Sequence, residues 1–214
     1  MHKAAGANMS VTARVYLVDD DAAIRDALYL LLQLRGINVE LFSNAADAIG
    51  WITNESRGCV LTDLRMPGQT GLELMAQLRA RHISLPVVVL TAHGDVATTR
   101  AALRGGAFDF LEKPIDEDIL VDVVRHAINE DAKGHLKRLE VDANKARIDS
   151  LTPRESEVFL LLSRGLQNRE VAIELSISAR TVEVYKARMM EKLGCSTIAE
   201  VVKLSLMVEL GPQS

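Results

Sequence analysis

The chain has few aromatic residues, few cysteines and no long apolar run. Its 214 residues include two cysteines and 4% aromatics. Cys59 and Cys195 lie far apart in apolar surroundings. That excludes a disulfide framework, makes a cysteine metal site unattractive and fits a reducing compartment. The longest stretch free of Lys, Arg, Asp and Glu runs from His82 to Gly94, well short of the ~18 residues a membrane-spanning helix needs. The opening MHKAAGANMSVTA lacks the continuous apolar core of a secretory signal, so a cytoplasmic location is expected. With 48% hydrophobic and 25% charged residues, the chain is neither disordered nor of low complexity. Its length suits one to two domains.

The net charge of −4 is unevenly placed. Residues 1–149 carry 17 Lys+Arg against 21 Asp+Glu, and residues 150–214 carry 8 against 8. Within the second part, Arg180, Lys186, Arg188 and Lys192 face only Glu183 and Glu191 over residues 179–193. An acidic front half followed by a locally basic helix suggests two jobs.

Short β-branched runs recur at Arg14–Val18, Asn38–Phe42, Gly58–Thr62, Val87–Thr91 and Ala107–Leu111. Between them, Ala22–Leu34, Ala45–Thr53, Gly71–Ala80 and Val96–Leu103 space their apolar residues at three and four, as helices do. Strand runs that are apolar throughout are expected where both faces are covered. Five such repeats predict an α/β fold, a doubly wound five-stranded parallel sheet with helices on both faces.

Ligands of such sheets bind beyond the carboxyl ends of the strands. There the sequence places Asp19, Asp20 and Asp21 after the first run, Asp63 after the third, Thr91 at the end of the fourth and Lys113-Pro114 after the fifth. Clustered carboxylates need a counter-charge, a raised pKa or a cation. Hard carboxylate oxygens at an accessible edge suit Mg²⁺, and a carboxylate beside Mg²⁺ can act as nucleophile in phosphoryl transfer. The Lys113 ammonium would neutralise phosphoryl charge, and the Thr91 hydroxyl would donate to a phosphoryl oxygen. Each residue also has a plainer reading. Asp21 can cap the next helix, Thr91 can end a strand, and Lys113 can be a solvated charge; their convergence on one edge favours the chemical reading.

VDDD at 18–21, DLRMPGQTG at 63–71, TAHG at 91–94 and FLEKP at 110–114 together resemble a bacterial response-regulator receiver domain of flavodoxin-like fold, over residues 12–130. The resemblance implies that Asp63 is the phosphoacceptor, and that Asp19, Asp20, Asp63 and the backbone carbonyl of Arg65 hold Mg²⁺. It further implies that Thr91 and Phe110 form a switch pair, that Lys113 meets the phosphoryl group, and that a cis bond precedes Pro114. Phe110 fills space without a tyrosine's hydroxyl.

From Asp116, a reasonable N-cap, an apolar stripe of Ile119, Leu120, Val123, Val124, Ala127 and Ile128 reads as a long last helix. Residues 131–149 follow as a charged, helical linker, weakened at Gly134. Their heptads are neither long nor clean, so a solvated linker is preferred to a dimeric coiled coil.

Residues 150–210 read as a compact all-α module of four helices. Thr152, Pro153 and Glu155 open the first with a capping box, and Gly165 ends it. The second, Arg169–Leu175, follows Asn168 as its cap. Ile177-Ser178 turns into the third, Ala179–Leu193, and Thr197 with Glu200 caps the fourth. A short helix, a tight turn and a longer basic helix make a helix-turn-helix. In the third helix, Val182, Tyr185, Met189 and Leu193 are expected inward. Arg180, Glu183, Val184, Ala187 and Glu191 are expected outward, with Thr181, Arg188 and Lys186 on the flanks. The flanking cations suit DNA phosphates, and Glu183, Val184 and Ala187 suit base edges. A solvated helix in a protein-binding bundle accounts for the charge equally well.

LTPRESEVFLLLSRGLQNREVAIELSISARTVEVYKARMMEKLG resembles the LuxR-type helix-turn-helix, with Tyr185 where that family usually has histidine. The match supports Thr181 and Lys192 as phosphate contacts. With the receiver, it resembles the NarL/FixJ class of response regulators. That class implies a non-enzymatic, DNA-binding transcription regulator in which phosphoryl transfer to Asp63 promotes dimerisation, release of the helix-turn-helix, or both. Its expected partners are a histidine kinase, double-stranded DNA, a second copy of the chain on activation, and RNA polymerase as a further candidate; no membrane is expected. Rival readings are a Mg²⁺-dependent phosphatase with an aspartyl intermediate, a phosphorylation-dependent regulator that binds protein instead of DNA, and a ligand-sensing quorum receptor.

Overall fold

The computed structural model describes residues 13–92 and 104–209. The chain forms two compact units, Met1–Gly134 and His135–Ser214. In the first, β1 (Arg14–Val18), α1 (Ala22–Leu34), β2 (Asn38–Phe42), α2 (Ala45–Trp51), β3 (Gly58–Asp63), α3 (Gly71–Ala80), β4 (Val87–Thr91) and β5 (Asp109–Glu112) follow in order. The helix expected at Val96–Leu103 lies outside the described residues. Then α4 (Glu117–Asp149) runs unbroken through Gly134 into the second unit.

All strand pairs are parallel, in the order β2-β1-β3-β4-β5. Side-chain alternation divides each apolar strand between two cores. Tyr16, Val18, Val60 and Val89 pack with residues of α2 and α3 on one face. Val15, Leu17, Leu61, Val88 and Leu90 pack with Leu28 and Leu32 of α1 and Leu120, Val121 and Val124 of α4 on the other. A fully buried Val or Leu stabilises the fold by roughly 1.5–3 kcal/mol, so this two-sided burial holds the sheet together. In α4 it is Val121 that is buried while Ile119 is exposed, a correction to the expected stripe.

Three elements of the first unit differ from expectation at their ends. The first helix-forming stretch after β2 stops at Trp51, because Ile52 turns extended and Thr53 begins a turn in which its N–H donates to the Ser56 hydroxyl. β3 continues to Asp63. β5 starts two residues late, since Gly106 adopts a positive φ and pairing begins only at Val88 opposite Asp109.

Gly58, at φ +121°, opens β3 so close to Arg14 that an added Cβ would fall on the Arg14 carbonyl. That residue's carboxyl-side neighbours then run fully buried to the functional edge. At the other end of the sheet connections, the side chain of Asp131 on α4 is buried against Arg57. Arg57 Nε and the Gly58 N–H each donate to Asp131 Oδ2 at 2.9 Å, and Arg57 Nη2 donates to the Asp131 carbonyl at 2.9 Å.

In the second unit, α5 (Pro153–Ser163), α6 (Asn168–Glu174), α7 (Ala179–Leu193) and α8 (Ile198–Glu209) enclose Val158, Leu162, Val171, Val182, Met189, Leu193 and Val201. The capping box of Thr152 and Glu155 is formed, with Pro153 in the first turn. α6 begins one residue earlier than expected. Its cap is Gln167, whose N–H donates to Glu170 at 2.6 Å, and Asn168 lies inside the helix. Gly194 ends α7 in the left-handed conformation.

Candidate functional site

The strand order reverses between β1 and β3: β2 lies on one side of β1, and β3 to β5 follow on the other. Crossovers leaving to opposite faces open a crevice at the carboxyl ends of those two strands. Asp19 leaves β1 there and Asp63 ends β3. Both are buried, at 1% and 8% exposure. Lys113, just past β5, reaches across and donates from one ammonium to Asp63 Oδ1 at 2.6 Å and Asp19 Oδ2 at 2.9 Å. Burial opposes its charge, yet the hydrogen bonds and charges of Asp63 and Asp19 outweigh this and hold its pKa above the ordinary lysine value.

The remaining carboxylate oxygens are aimed by backbone. Asp19 Oδ1 accepts from the Asp21 N–H at 2.9 Å, and Asp63 Oδ2 accepts from the Arg65 N–H at 2.7 Å. Thr91 is buried at the end of β4, and its carbonyl accepts from the Lys113 N–H at 2.7 Å. The Lys113–Pro114 bond is cis. Phe110 pairs with Val89 in the ladder. The two-residue alternation puts Thr91 on the same sheet face, one step nearer the edge. The Phe110 ring is half-buried against the α2–α3 core. Asp20 is exposed, while Asp21 caps α1, accepting from the N–H groups of Ala23 and Ile24.

Two features lie outside the sequence reading. Arg25 Nη1 donates to the Asp19 carbonyl at 2.7 Å, bracing the loop that carries the acids. Gly71 starts α3 against β3, where an added Cβ would strike the Asp63 carbonyl. Arg25 belongs to no recognisable spacing, and Gly71, although it closes the DLRMPGQTG stretch, shows its close approach to β3 only in the fold.

One ammonium does not balance Asp19, Asp20 and Asp63, and oxygen-only donors at a wet edge suit a hard divalent cation that keeps part of its water. Among the described residues, no three His, Cys, Asp or Glu side chains close on one point as a finished metal cage. The donor chemistry fits Mg²⁺ of the kind completed by water and a substrate oxygen.

In the second unit, α6, the turn at Ser176–Ile177 and α7 form a helix-turn-helix. Val182, Met189 and Leu193 are buried and Tyr185 half-buried, while Arg180, Glu183, Val184, Ala187, Arg188 and Glu191 are exposed; Thr181 and Lys186 are intermediate. Two of the expected phosphate contacts already have protein partners. The Thr181 hydroxyl lies 2.7 Å from the Ser178 hydroxyl at the α7 cap. Lys192 Nζ donates to Glu155 Oε2 at 2.6 Å. This ammonium, together with the Thr152 N–H, pulls the Glu155 pKa down to about 2.

Residues 15–125 match the response regulator receiver domain family, and residues 149–205 match the bacterial regulatory proteins of the luxR family. The chain therefore belongs to the response regulators of the NarL/FixJ class, transcription regulators that join a receiver to a LuxR-type DNA-binding domain. It is 38% identical to the transcriptional regulatory protein FixJ of Bradyrhizobium diazoefficiens over 198 residues, 92% of this chain and 97% of that one. Among solved structures it is similar to the response regulator StyR, with 38% identity, a TM-score of 0.80 and coverage of 91% and 98% of the two chains. Full-length FixJ from B. japonicum matches with 37% identity, a TM-score of 0.56 and coverage of 94% and 99%. No helix among the described residues is long and apolar enough to cross a membrane.

Proposed function

We propose that Asp63 accepts a phosphoryl group from a phosphohistidine of a partner kinase, and that this controls DNA binding by α7. The observation that carries the proposal is the single Lys113 ammonium shared between two buried carboxylates at the crossover crevice. In the transfer, a bond forms between an Asp63 carboxylate oxygen and phosphorus as the N–P bond breaks, its electron pair returning to the kinase imidazole. Lys113 then gains a phosphoryl oxygen as acceptor, and the Thr91 hydroxyl turns to donate to another. Asp19, Asp20, Asp63 and the Arg65 carbonyl would hold Mg²⁺, which when bound supplies positive charge against the phosphoryl oxygens.

Movement of Thr91 toward the new group frees space on its sheet face, which the Phe110 ring enters. Inverting a 1:99 population to 99:1 requires about 5.5 kcal/mol of preference for the phosphorylated state. The chain is organised as receiver 12–130, linker 131–149 and DNA-binding module 150–210. It acts in the cytoplasm as a regulator without turnover of a substrate, and RNA polymerase is the further partner of the DNA-bound form. On activation two copies pair, and their α7 helices enter half-sites about one helical turn apart. Arg180, Thr181, Lys186 and Arg188 meet phosphates, Lys192 shares its ammonium between Glu155 and a phosphate, and Glu183, Val184 and Ala187 face base edges.

Light-scattering mass with Mg²⁺ and beryllofluoride, on wild type and Asp63→Asn, tests this. A doubling of mass restricted to treated wild type is expected. Equal masses in both proteins would overturn pairing driven by Asp63, and DNA affinity measured on the same samples would then read release of α7 in a monomer.

A further inference from the structure

The tail of α4 inside the second unit has two distinct sides. Asn144 and Ile148 face inward: Asn144 is buried with its side-chain amide against Met207 Sδ at 4.0 Å, and Ile148 packs on the module's core, while Val141 is half-buried. Once these inward residues are assigned, the outward apolar residues form a regular series. Leu136, Leu139, Ala143 and Ala146 are spaced three, four and three apart and are all exposed, the leucines at 66% and 50%. Two leucines and two alanines thus keep the 3.5-residue period of a helix that pairs with another helix over two heptads.

We propose that this outward face of α4, from Leu136 to Ala146, is a contact surface for a second copy of the same chain, joined as a short parallel helix pair. The proposal rests on the activation-dependent pairing inferred above and names the surface that joins the copies.

The charges beside the stripe select that occupant. With Leu136 and Ala143 at a positions and Leu139 and Ala146 at d, Asp142 falls at g and Arg147 at e. In a parallel pair, g of one helix faces e of the next heptad on the other, so Asp142 of each copy meets Arg147 of the second copy. One heptad earlier His135 at g faces Glu140 at e, where a ring N–H can donate to the carboxylate. Both of these flanks are thus self-complementary, and the small Ala143 and Ala146 allow close approach of two backbones. A parallel arrangement also brings both DNA-binding modules to the same end, as a two-part DNA site demands. Two heptads are marginal alone. They act once receiver pairing raises the effective concentration of one tail for the other.

The test uses the full chain carrying Ala146→Cys, with Lys145→Cys on the opposite side as control, each with and without Mg²⁺ and beryllofluoride. Under an added mild oxidant, a 146–146 disulfide forms only if the helices are parallel and in register, since it requires Cα atoms within ~7 Å. The expected result is a disulfide-linked dimer from activated Ala146→Cys and little from Lys145→Cys. Leu136→Glu with Leu139→Glu is expected to weaken dimerisation about tenfold or more in light scattering, with an unchanged far-ultraviolet spectrum because both leucines are exposed. A doubled mass without a 146–146 link above the control overturns this surface and leaves activation-dependent pairing intact. Neither doubled mass nor link overturns both. A link that forms equally without beryllofluoride supports the surface and separates it from phosphorylation.

Discussion

Replacing Asp131 by alanine would expose how the receiver anchors the helix that leads to the DNA-binding module. Asp131 and Arg57 have side chains only 3% and 11% exposed. Beyond the ion pair, Asp131 Oδ2 accepts from the Gly58 N–H, the residue that opens β3. Truncation leaves a buried guanidinium without its carboxylate and a buried backbone N–H without its acceptor. Breaking a buried pair from one side costs roughly 3–5 kcal/mol, because the survivor's desolvation is no longer offset. The single tryptophan, Trp51, provides a local reporter, since it packs with Tyr16 and Phe42 in the same unit. With a urea dependence of ~2 kcal/mol/M, the fluorescence midpoint should fall by about 1.5–2.5 M. Asp131→Asn, which keeps a carbonyl acceptor but loses the charge, should fall by less than half as much. An alanine variant within about 0.5 M of wild type would refute the reasoning, for it would show that the clamp is decorative.

Other expectations concern the two sites. Gly71→Ala should displace the β3 end and slow phosphoryl acceptance by Asp63, read as incorporation from a small-molecule phosphodonor; wild-type rates would contradict the close approach. Arg25→Ala removes one charged hydrogen bond to the Asp19 carbonyl and should reduce the same rate roughly tenfold. Glu155 has a folded pKa of about 2, below its ordinary 4.5, so its stabilising contribution is complete above pH 4.5 and is lost as pH falls toward 2. Thermal melts should therefore show Lys192→Met less stable than wild type at pH 7, with the gap closing across that acid window; a gap constant down to pH 2 would assign the stabilisation elsewhere. On DNA, Lys186→Ala and Arg188→Ala should each lower the slope of log affinity against log salt by about 1.

Local chemistry was readable without coordinates. The Thr152–Pro153–Glu155 start of α5 and the Asp21 cap of α1 depend on residues within one helical turn, so composition and spacing suffice for them. The apolar runs likewise marked the strands, although β5 began two residues late, because a glycine turn delayed its entry into the ladder. The α6 cap went to Gln167 in place of Asn168 because Glu170 reaches back to the Gln167 N–H, a competition between neighbours that propensity alone does not resolve.

Short-range periodicity and residue type were enough to mark the described strands and helices and the kind of atoms at each strand end. The tertiary structure decided which of those atoms meet. Lys113 bridges Asp19 and Asp63 across 94 and 50 residues, Lys192 is claimed by Glu155, and Asp131 closes on Arg57 and Gly58. It also separated the apolar residues of the α4 tail into an inner and an outer face. Such partners are chosen by strand order and packing, where burial removes competing water and makes one pairing far more favourable than its alternatives.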